Sequence, residues 1–212
     1  MDVAIAGGHG KIGLRLGQFL AERGDRARGL IRKPEYEEDL RAVGVEPVLC
    51  DLEGGCDVAA AIAGADAVVF AAGAGSGSGA DRKWTVDYAG AAKLIVAALA
   101  RDVRRYVMVS AIGAGDPPSD DDVFSIYLRA KAKADEELQA SGLDWTIARP
   151  GGLTDDPGTG RIRAAAKVER GQIPREDVAA TLLVALDEDD TVGAVFELVS
   201  GATPIREALA AL

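Results

Sequence analysis

Two side chains that could transfer a proton together lie four residues apart in this chain. Tyr127 and Lys131 belong to the run Tyr127-Leu128-Arg129-Ala130-Lys131, inside a segment whose apolar pattern predicts a helix. Because one helical turn separates them, both side chains project from the same face. An ammonium group in that position lowers the pKa of a phenol, which could then act as an acid or a base near neutral pH. Ser110, at the end of a predicted strand, adds a hydroxyl that could orient a substrate oxygen.

A run of glycines near the N-terminus predicts a binding site that such chemistry could use. The run Gly7-Gly8-His9-Gly10-Lys11-Ile12-Gly13 follows the apolar residues Val3-Ala4-Ile5-Ala6 directly and precedes a helical pattern. This order of strand, glycine turn and helix binds the pyrophosphate of a dinucleotide, because glycine permits close approach and the first helical amides face the anion. A P-loop is excluded, because Ile12 stands where a serine or threonine must hold magnesium. We interpret His9, the only histidine, as a polar residue of the turn near the phosphates.

The ends of the second and third predicted strands indicate which dinucleotide is bound. Arg32 and Lys33 stand where NAD enzymes commonly carry an acidic residue for the ribose hydroxyls. A guanidinium there suits a 2′-phosphate, so NADP is favoured over NAD; the alternative is that both residues are solvated surface cations. Asp51 could accept the exocyclic amine of adenine while Leu52 packs on the ring. The alternative for Asp51 is a turn residue that caps the next helix.

Two later strand ends complete the expected groove. Ala71, Ala72 and Gly73 follow the fourth predicted strand and leave room for a cofactor ribose. Ser110 ends the fifth predicted strand, where the nicotinamide should lie. Lys131 would hold the nicotinamide ribose.

The elements that position these residues follow from apolar runs that alternate with helical patterns, which is typical of βαβ units. Seven strands are predicted, at residues 2–6, 27–31, 45–49, 67–71, 106–109, 143–148 and 194–199. We therefore expect an α/β fold with a single Rossmann-type doubly wound parallel sheet of about seven strands and helices on both faces. The ligand should lie at the carboxyl ends of the strands, near the switch point of the strand order. Residues 1–212 are predicted to form one domain.

Composition narrows the partners and the compartment. The formal net charge of −10 argues against nucleic acid or an anionic membrane surface as the main partner. No apolar stretch is long enough to span a bilayer and no signal segment precedes the first strand, so we expect a cytoplasmic monomer or homodimer that acts on a small molecule. Cys50 and Cys56 lack a zinc-ligand pattern, so no metal site is predicted. We interpret both as free packing thiols in a reducing compartment.

Taken together, the motifs resemble the short-chain dehydrogenase/reductase superfamily, and within it the small atypical NAD(P)-binding group known as NmrA-like or epimerase-like. The resemblance covers nearly the whole chain and is most specific in Ser141-Gly142-Leu143-Asp144-Trp145-Thr146-Ile147-Ala148-Arg149-Pro150-Gly151-Gly152-Leu153-Thr154. It implies that the serine, tyrosine and lysine polarise the substrate oxygen, relay its proton and hold the cofactor ribose. It also implies that Pro150 and Gly151 contact the cofactor. Asp87 stands where many members of the superfamily carry an asparagine.

These observations favour an NADP-binding oxidoreductase that transfers a hydride between nicotinamide and a small carbonyl or alcohol. Two alternatives stay open: a non-catalytic NADP-binding redox sensor and, third, an NADP-dependent epimerase. Residues 151–173 are predicted to form a substrate or lid segment. Its cations Arg161, Arg163, Lys167 and Arg170 would suit an anionic substrate. Alternatively, the first two would keep an exposed edge strand from pairing.

Overall fold

The computed structural model describes residues 1–75 and 77–212. Ser76, within the run Gly73-Ala74-Gly75-Ser76-Gly77-Ser78-Gly79, lies outside the described residues. The strands are β1 (Asp2–Ala6), β2 (Arg26–Ile31), β3 (Glu46–Leu49), β4 (Ala67–Phe70), β5 (Arg105–Val109), β6 (Asp144–Pro150), β7 (Gly152–Thr154), β8 (Arg161–Ala165), β9 (Gln172–Pro174), β10 (Ala194–Ser200) and β11 (Thr203–Pro204). The helices are α1 (Lys11–Arg23), α2 (Glu37–Ala42), α3 (Val58–Ala61), α4 (Ala80–Arg82), α5 (Ala89–Ala100), α6 (Val123–Ala140), α7 (Arg175–Asp187) and α8 (Ile205–Leu209). A π-helical turn, Lys83–Tyr88, joins α4 to α5.

The main sheet has nine strands in the order β11-β8-β10-β6-β5-β4-β1-β2-β3. Its strands from β10 to β3 pair in parallel and correspond to the seven predicted strands, whereas β8 and β11 are antiparallel additions at one edge. The predicted Rossmann-type α/β fold is therefore confirmed. Because β1 pairs with both β2 and β4, the strand order reverses there, at the point where such folds bind ligands.

The predicted segment at residues 151–173 contains more regular structure than its sequence indicates. β7 and β9 form a separate two-stranded parallel sheet, and β8 pairs with β10. Arg161 and Arg163 lie exposed on β8, which only the two-residue β11 separates from the edge. These strands have three to five residues and are separated by glycine and proline. Hydrophobic periodicity over so few residues is too short to predict them.

Helices cover both faces of the sheet, so the parallel strands are buried on both sides. In β1, Val3 and Ile5 join the core that contains α1 and α7, and Ala4 and Ala6 join the core that contains α5. Burial on two faces explains why this strand is a continuous apolar run rather than an alternating one. Within the described residues, no helix combines the length and hydropathy needed to cross a bilayer.

The two cysteines form a disulfide, so the prediction of free thiols is wrong. The chain turns back after β3, which brings the Cα atoms of Cys50 and Cys56 to 5.2 Å, a separation that a disulfide requires. The prediction relied on the expected compartment and on the absence of a metal pattern. Neither of these arguments describes the path of the turn between the two cysteines, although that path determines whether their thiols are close enough to form a disulfide.

Candidate cofactor and catalytic site

The glycine turn after β1 leaves room for an anion, as its sequence predicts. Gly7 has a φ of +84°, and a Cβ atom there would lie 2.7 Å from the backbone of Ala72 after β4. A side chain at Gly13 would collide with the carbonyl oxygen of Gly7. Gly10 caps α1 without a side-chain hydrogen bond, and the first turn of the helix carries no acidic residue. The first amides of α1 are therefore suited to bind the pyrophosphate of a dinucleotide.

A cavity of about 270 Å³ opens beside this turn at the switch point. Its lining includes most of the residues predicted to contact the cofactor: Gly7, His9, Gly10, Arg32, Asp51, Leu52, Ala71, Ala72 and Gly73. Gly8 and Gly13 lie buried behind the turn, and Ile12 belongs to the core on the α1 face. The glycine turn thus shapes the cavity from beneath, while the strand ends form its walls.

The two cations after β2 have different surroundings. Arg32 lines the cavity, is exposed, and makes no hydrogen bond or ion pair with any of the described residues. Lys33 does not line the cavity; its Nζ lies 3.2 Å from a carboxylate oxygen of Glu35. Arg32 is therefore placed to receive an anionic group, and Lys33 resembles the surface cation that was its alternative.

Side chains at the adenine end of the cavity hold one another. Asp51 accepts a hydrogen bond from the amide of Glu53 at 3.0 Å within the turn and lines the cavity, but it does not cap the next helix, α3, whose N-cap is Asp57. Glu53 also pairs with Arg82 and accepts a hydrogen bond from Thr85 at 2.6 Å. The hydrogen bond from Arg82 lowers the pKa of Glu53, whose carboxylate stays charged. Sequence reasoning missed Glu53 and Arg82, because their pairing spans 29 residues.

Two residues of the glycine motif contact other parts of the protein. His9 lies 2.7 Å from a carboxylate oxygen of Asp39 and stacks on Tyr36 with ring centroids 3.9 Å apart. This contact holds the turn against the start of α2, in keeping with the interpretation of His9 as a turn residue. Lys11 pairs with Asp155, to which Arg175 also donates at 2.8 Å. The predicted lid segment is thereby tied to the first residue of α1.

Pro150 and Gly151 do not line the cavity. The carbonyl of Pro150 accepts a hydrogen bond from the amide of Ile112 at 3.1 Å, and the amide of Gly151 donates to Leu198 at 2.9 Å. They lie at the carboxyl end of β6, beyond the strand end that carries Ser110. Their predicted contact with a cofactor therefore stays a prediction.

Lys131 is buried and is held by two acceptors. Its Nζ donates to the carbonyl of Val109 at 3.0 Å and lies 3.4 Å from Oδ1 of Asp87, which is 1% exposed. The other oxygen of Asp87 accepts the amide of Ala74 at 3.1 Å, on the wall of the cavity. Asp87, unlike an asparagine, thus supplies a full counter-charge to Lys131. It also connects that lysine to the cofactor cavity.

Two ammonium groups lie near the ring of Tyr127. The ring centroid is 5.9 Å from Nζ of Lys131 and 5.5 Å from Nζ of Lys83. Burial nevertheless raises the pKa of Tyr127, and Asp87 and Asp135 add to the rise, although Lys131 opposes it. The prediction that the pKa of Tyr127 is lowered is therefore wrong. Lys131 does act to lower it, but burial and the two carboxylates outweigh that effect, and helical spacing shows neither.

Lys131 stays protonated in this environment. Burial is the largest single effect and lowers its pKa, but the charges of Asp87, Tyr127 and Asp135 together outweigh it, so the net shift of the pKa is upward. An ammonium group has three donors, and Val109 and Asp87 account for two of them. Because Lys131 is 3% exposed and does not line the cavity, its predicted contact with a ribose hydroxyl stays a prediction.

The hydroxyl of Ser110 is hydrogen-bonded within the protein, which bears on the role that the family resemblance implies for it. Its Oγ lies 2.9 Å from Oδ2 of Asp135, and Nε and Nη2 of Arg149 each lie 2.9 Å from the same oxygen. An oxygen that accepts from a guanidinium at two positions cannot itself carry a proton, so Ser110 must be the donor. The hydroxyl therefore presents only lone pairs elsewhere and cannot polarise a carbonyl by donating to it.

Asp135 is a site residue that sequence reasoning missed. It follows Lys131 by four residues, as Lys131 follows Tyr127, so the three lie on one face of α6. Burial raises the pKa of its carboxyl group, against the opposing effect of Arg149. Helical spacing alone could have suggested this position. Its partners on β5 and β6 could not be seen from the sequence.

The site therefore has two connected parts. One is the open cavity, which ends at Gly73 and Ala74 and does not include the candidate catalytic residues in its lining. The other is a buried cluster of two carboxylates, two cations and the Tyr127 phenol, which Asp87 joins to the cavity wall. This arrangement can bind an anionic dinucleotide and hold a proton donor beside it.

The comparison with known proteins agrees with this geometry. A family model described as NAD(P)H-binding matches residues 7–189. The chain belongs to this NAD(P)H-binding family. It is 44% identical over 211 residues to an uncharacterized sugar epimerase, YhfK, of Bacillus subtilis, with 99% of each chain aligned.

Solved structures give the same result. One from Bacillus halodurans, provisionally assigned as an NAD-dependent epimerase/dehydratase, has a TM-score of 0.94 and 37% identity over the full length of both chains. The oxidoreductase YlbE from Lactococcus lactis has a TM-score of 0.87 and 30% identity, covering this whole chain and 96% of that one. These findings confirm the predicted resemblance to atypical NAD(P)-binding proteins of the short-chain dehydrogenase/reductase type.

Proposed function

We propose that this protein is an NADP-dependent oxidoreductase that acts on a small carbonyl or alcohol. The observation that carries the proposal is the position of Tyr127, whose ring centroid lies 5.5 Å and 5.9 Å from two ammonium groups. One of them, Lys131, pairs with Asp87, which contacts the wall of the cofactor cavity at Ala74. A bound nicotinamide would supply or accept the hydride. The protein must then supply or accept one proton at the substrate oxygen, and we assign that step to the phenol of Tyr127.

The other residues of the cluster support this transfer. Lys131 stays charged beside the phenol and stabilises negative charge that develops on it when the proton leaves. Asp87 holds Lys131 in place and keeps the pair neutral overall. Ser110, whose own proton is donated to Asp135, accepts a hydrogen bond from the alcohol form of the substrate. The phenol is thus the acid and the serine is an orienting acceptor.

The preference for NADP rests on Arg32. Its guanidinium lines the cavity beside Asp51 and Glu53 and lacks a partner among the described residues. A planar guanidinium binds phosphate through two parallel hydrogen bonds, and the 2′-phosphate is what distinguishes NADP from NAD. The glycine turn and the first amides of α1 would hold the pyrophosphate of either cofactor. Binding of NAD(P)H is the property by which the family is described.

A substitution that removes one oxygen tests the proposed reaction. NADPH oxidation is measured with a panel of aldehydes, quinones and flavins, in the wild type and in Tyr127→Phe. We expect the rate to fall by ~100-fold or more in the variant, while the Kd for NADPH changes little. Tyr88→Phe is the matched control, because its phenol is hydrogen-bonded to Glu137 instead. An unchanged rate in Tyr127→Phe would overturn the assignment.

A second candidate function is the sensor, and the disulfide favours it. Cys50 lines the cofactor cavity, and its bond to Cys56 closes a loop that contains Asp51, Leu52 and Glu53, which all line the cavity. The redox state of the thiols would thus act on the adenine end of the site. Tight NADP binding together with a silent substrate panel would favour the sensor over the enzyme.

A further inference from the structure

Lys83 is a buried cation that forms no ion pair with any of the described residues. It lies in the π-helical turn, is 7% exposed, and donates from Nζ to the carbonyl of Gly75 at 2.8 Å. Lys131, by comparison, lies 3.4 Å from the carboxylate of Asp87. Among residues 1–75 and 77–212, no carboxylate oxygen comes within 4.0 Å of the Lys83 ammonium group. Lys83 therefore has a carbonyl partner but no neutralising charge.

The physical cost of this arrangement points to a ligand. An ammonium group removed from water is strongly destabilising unless a negative charge or several acceptors compensate it. Lys83 has three donors, and the carbonyl of Gly75 accepts from one. The chain carries 34 acidic residues, yet none of the described ones pairs with Lys83. A cation that binds a negatively charged ligand must lack such a partner in the protein itself.

The location connects Lys83 to the reacting end of the site. Its Nζ lies 5.5 Å from the ring centroid of Tyr127. An exposed aromatic ring lies near the same tyrosine: the ring of Phe124, which is 58% exposed, has its centroid 6.0 Å from that of Tyr127. An exposed ring of this kind can contact the apolar part of a ligand. A charged group and an apolar surface thus both lie near the Tyr127 ring.

We propose that Lys83 binds the anionic group of the substrate, and that the substrate is an oxo acid with an apolar or aromatic substituent. The carboxylate would lie against Lys83 while the carbonyl oxygen meets the phenol of Tyr127. Because Nζ of Lys83 lies only 5.5 Å from the centroid of the Tyr127 ring, few bonds would separate the carboxylate from the carbonyl. This inference rests on the proposed oxidoreductase function and adds the substrate class to it.

The test uses pairs of compounds that differ only in charge. Phenyl-substituted 2-, 3- and 4-oxo acids are compared with their methyl esters, both in NADPH turnover and in equilibrium binding to the protein saturated with NADP⁺. We expect wild type to favour at least one acid over its ester by about tenfold or more in both measurements. Lys83→Met should remove this preference, and Lys83→Arg should retain it. Lys133→Met is the control, because that lysine is exposed on α6 and pairs with Glu136.

Each outcome separates this inference from the function on which it rests. Turnover of neutral carbonyls without preference for any acid would keep the oxidoreductase and overturn the role of Lys83. Lys83-dependent binding of an acid without turnover would keep the anion site and overturn the oxidoreductase. An equal loss for acids and esters in Lys83→Met would show that the residue only anchors the loop at Gly75. The Kd for NADPH, measured in each variant, identifies a general loss of folding.

Discussion

The hydroxyl of Ser110 donates a hydrogen bond to Oδ2 of Asp135, and the guanidinium of Arg149, on β6, pairs with the same oxygen. Because Asp135 lies on α6 with Tyr127 and Lys131, this contact ties the helix that carries the candidate acid to the two central strands. The orientation of Ser110, Tyr127 and Lys131 relative to one another therefore depends on the ion pair between Asp135 and Arg149. A buried pair of this kind contributes less by its own attraction than it costs when one partner is lost.

This dependence can be measured by a double-mutant cycle. Asp135→Leu leaves the Arg149 guanidinium, whose side chain is 14% exposed, without its carboxylate. We expect a loss of about 3–5 kcal/mol in the free energy of unfolding, measured in urea, and a smaller loss in Asp135→Leu/Arg149→Met. Asp121→Leu, which removes an exposed partner of Arg129, should cost less than about 1 kcal/mol. Additive losses in the double variant would contradict the coupling.

The different surroundings of Arg32 and Lys33 give a matched pair of variants. Arg32→Ala should weaken NADPH binding by roughly 10-fold to 100-fold and leave NADH nearly unchanged, because one charge-assisted phosphate contact contributes about 1.5–3 kcal/mol. Lys33→Ala should change neither affinity much, since that ammonium is outside the cavity and pairs with Glu35. Fluorescence titration of both cofactors measures these effects. Equal losses for NADPH and NADH in Arg32→Ala would exclude a 2′-phosphate contact.

The features that the sequence predicted well are local. The glycine turn follows its strand directly, and Tyr127 and Lys131 are one helical turn apart, so short-range geometry was enough. The seven parallel strands were also predicted from short apolar stretches between helical patterns, and burial on both faces makes the stretch in β1, Val3-Ala4-Ile5-Ala6, continuous.

The features that the sequence did not predict depend on contacts across the chain. Asp87 reaches Lys131 from a different helical segment, and Cys50 reaches Cys56 only because the turn after β3 reverses direction. The pKa of Tyr127 could not be predicted from the nearest lysine, because burial and two carboxylates outweigh it. The pKa values and ion pairs of the site depend on how side chains pack in three dimensions, and spacing along the sequence does not give that packing.

The disulfide should contribute to both stability and cofactor binding. Its loop spans six residues, and closing a loop of that size restricts the unfolded chain by about 2 kcal/mol. We expect dithiothreitol to lower the free energy of unfolding of the wild type by about that amount and to weaken NADPH binding severalfold, because Asp51 and Leu52 line the cavity. The Cys50→Ser/Cys56→Ser variant should match the reduced protein and ignore the reductant. Identical behaviour of the wild type with and without dithiothreitol would show that the bond contributes to neither.

The raised pKa of Tyr127 predicts how stability depends on alkaline pH. In the unfolded chain the phenol ionises near its ordinary pKa of about 10, whereas burial in the folded protein holds its proton to higher pH. The stabilisation is therefore complete below about pH 10 and is lost as the pH rises toward the folded pKa, at about 1.4 kcal/mol per pH unit for this one proton. The wild type should lose stability more steeply than Tyr127→Phe when denaturation is measured between about pH 9 and 11. Ultraviolet difference titration at the tyrosinate band gives the independent check: Tyr127 ionising below its ordinary value would mean that the two ammonium groups, and not burial, dominate its environment.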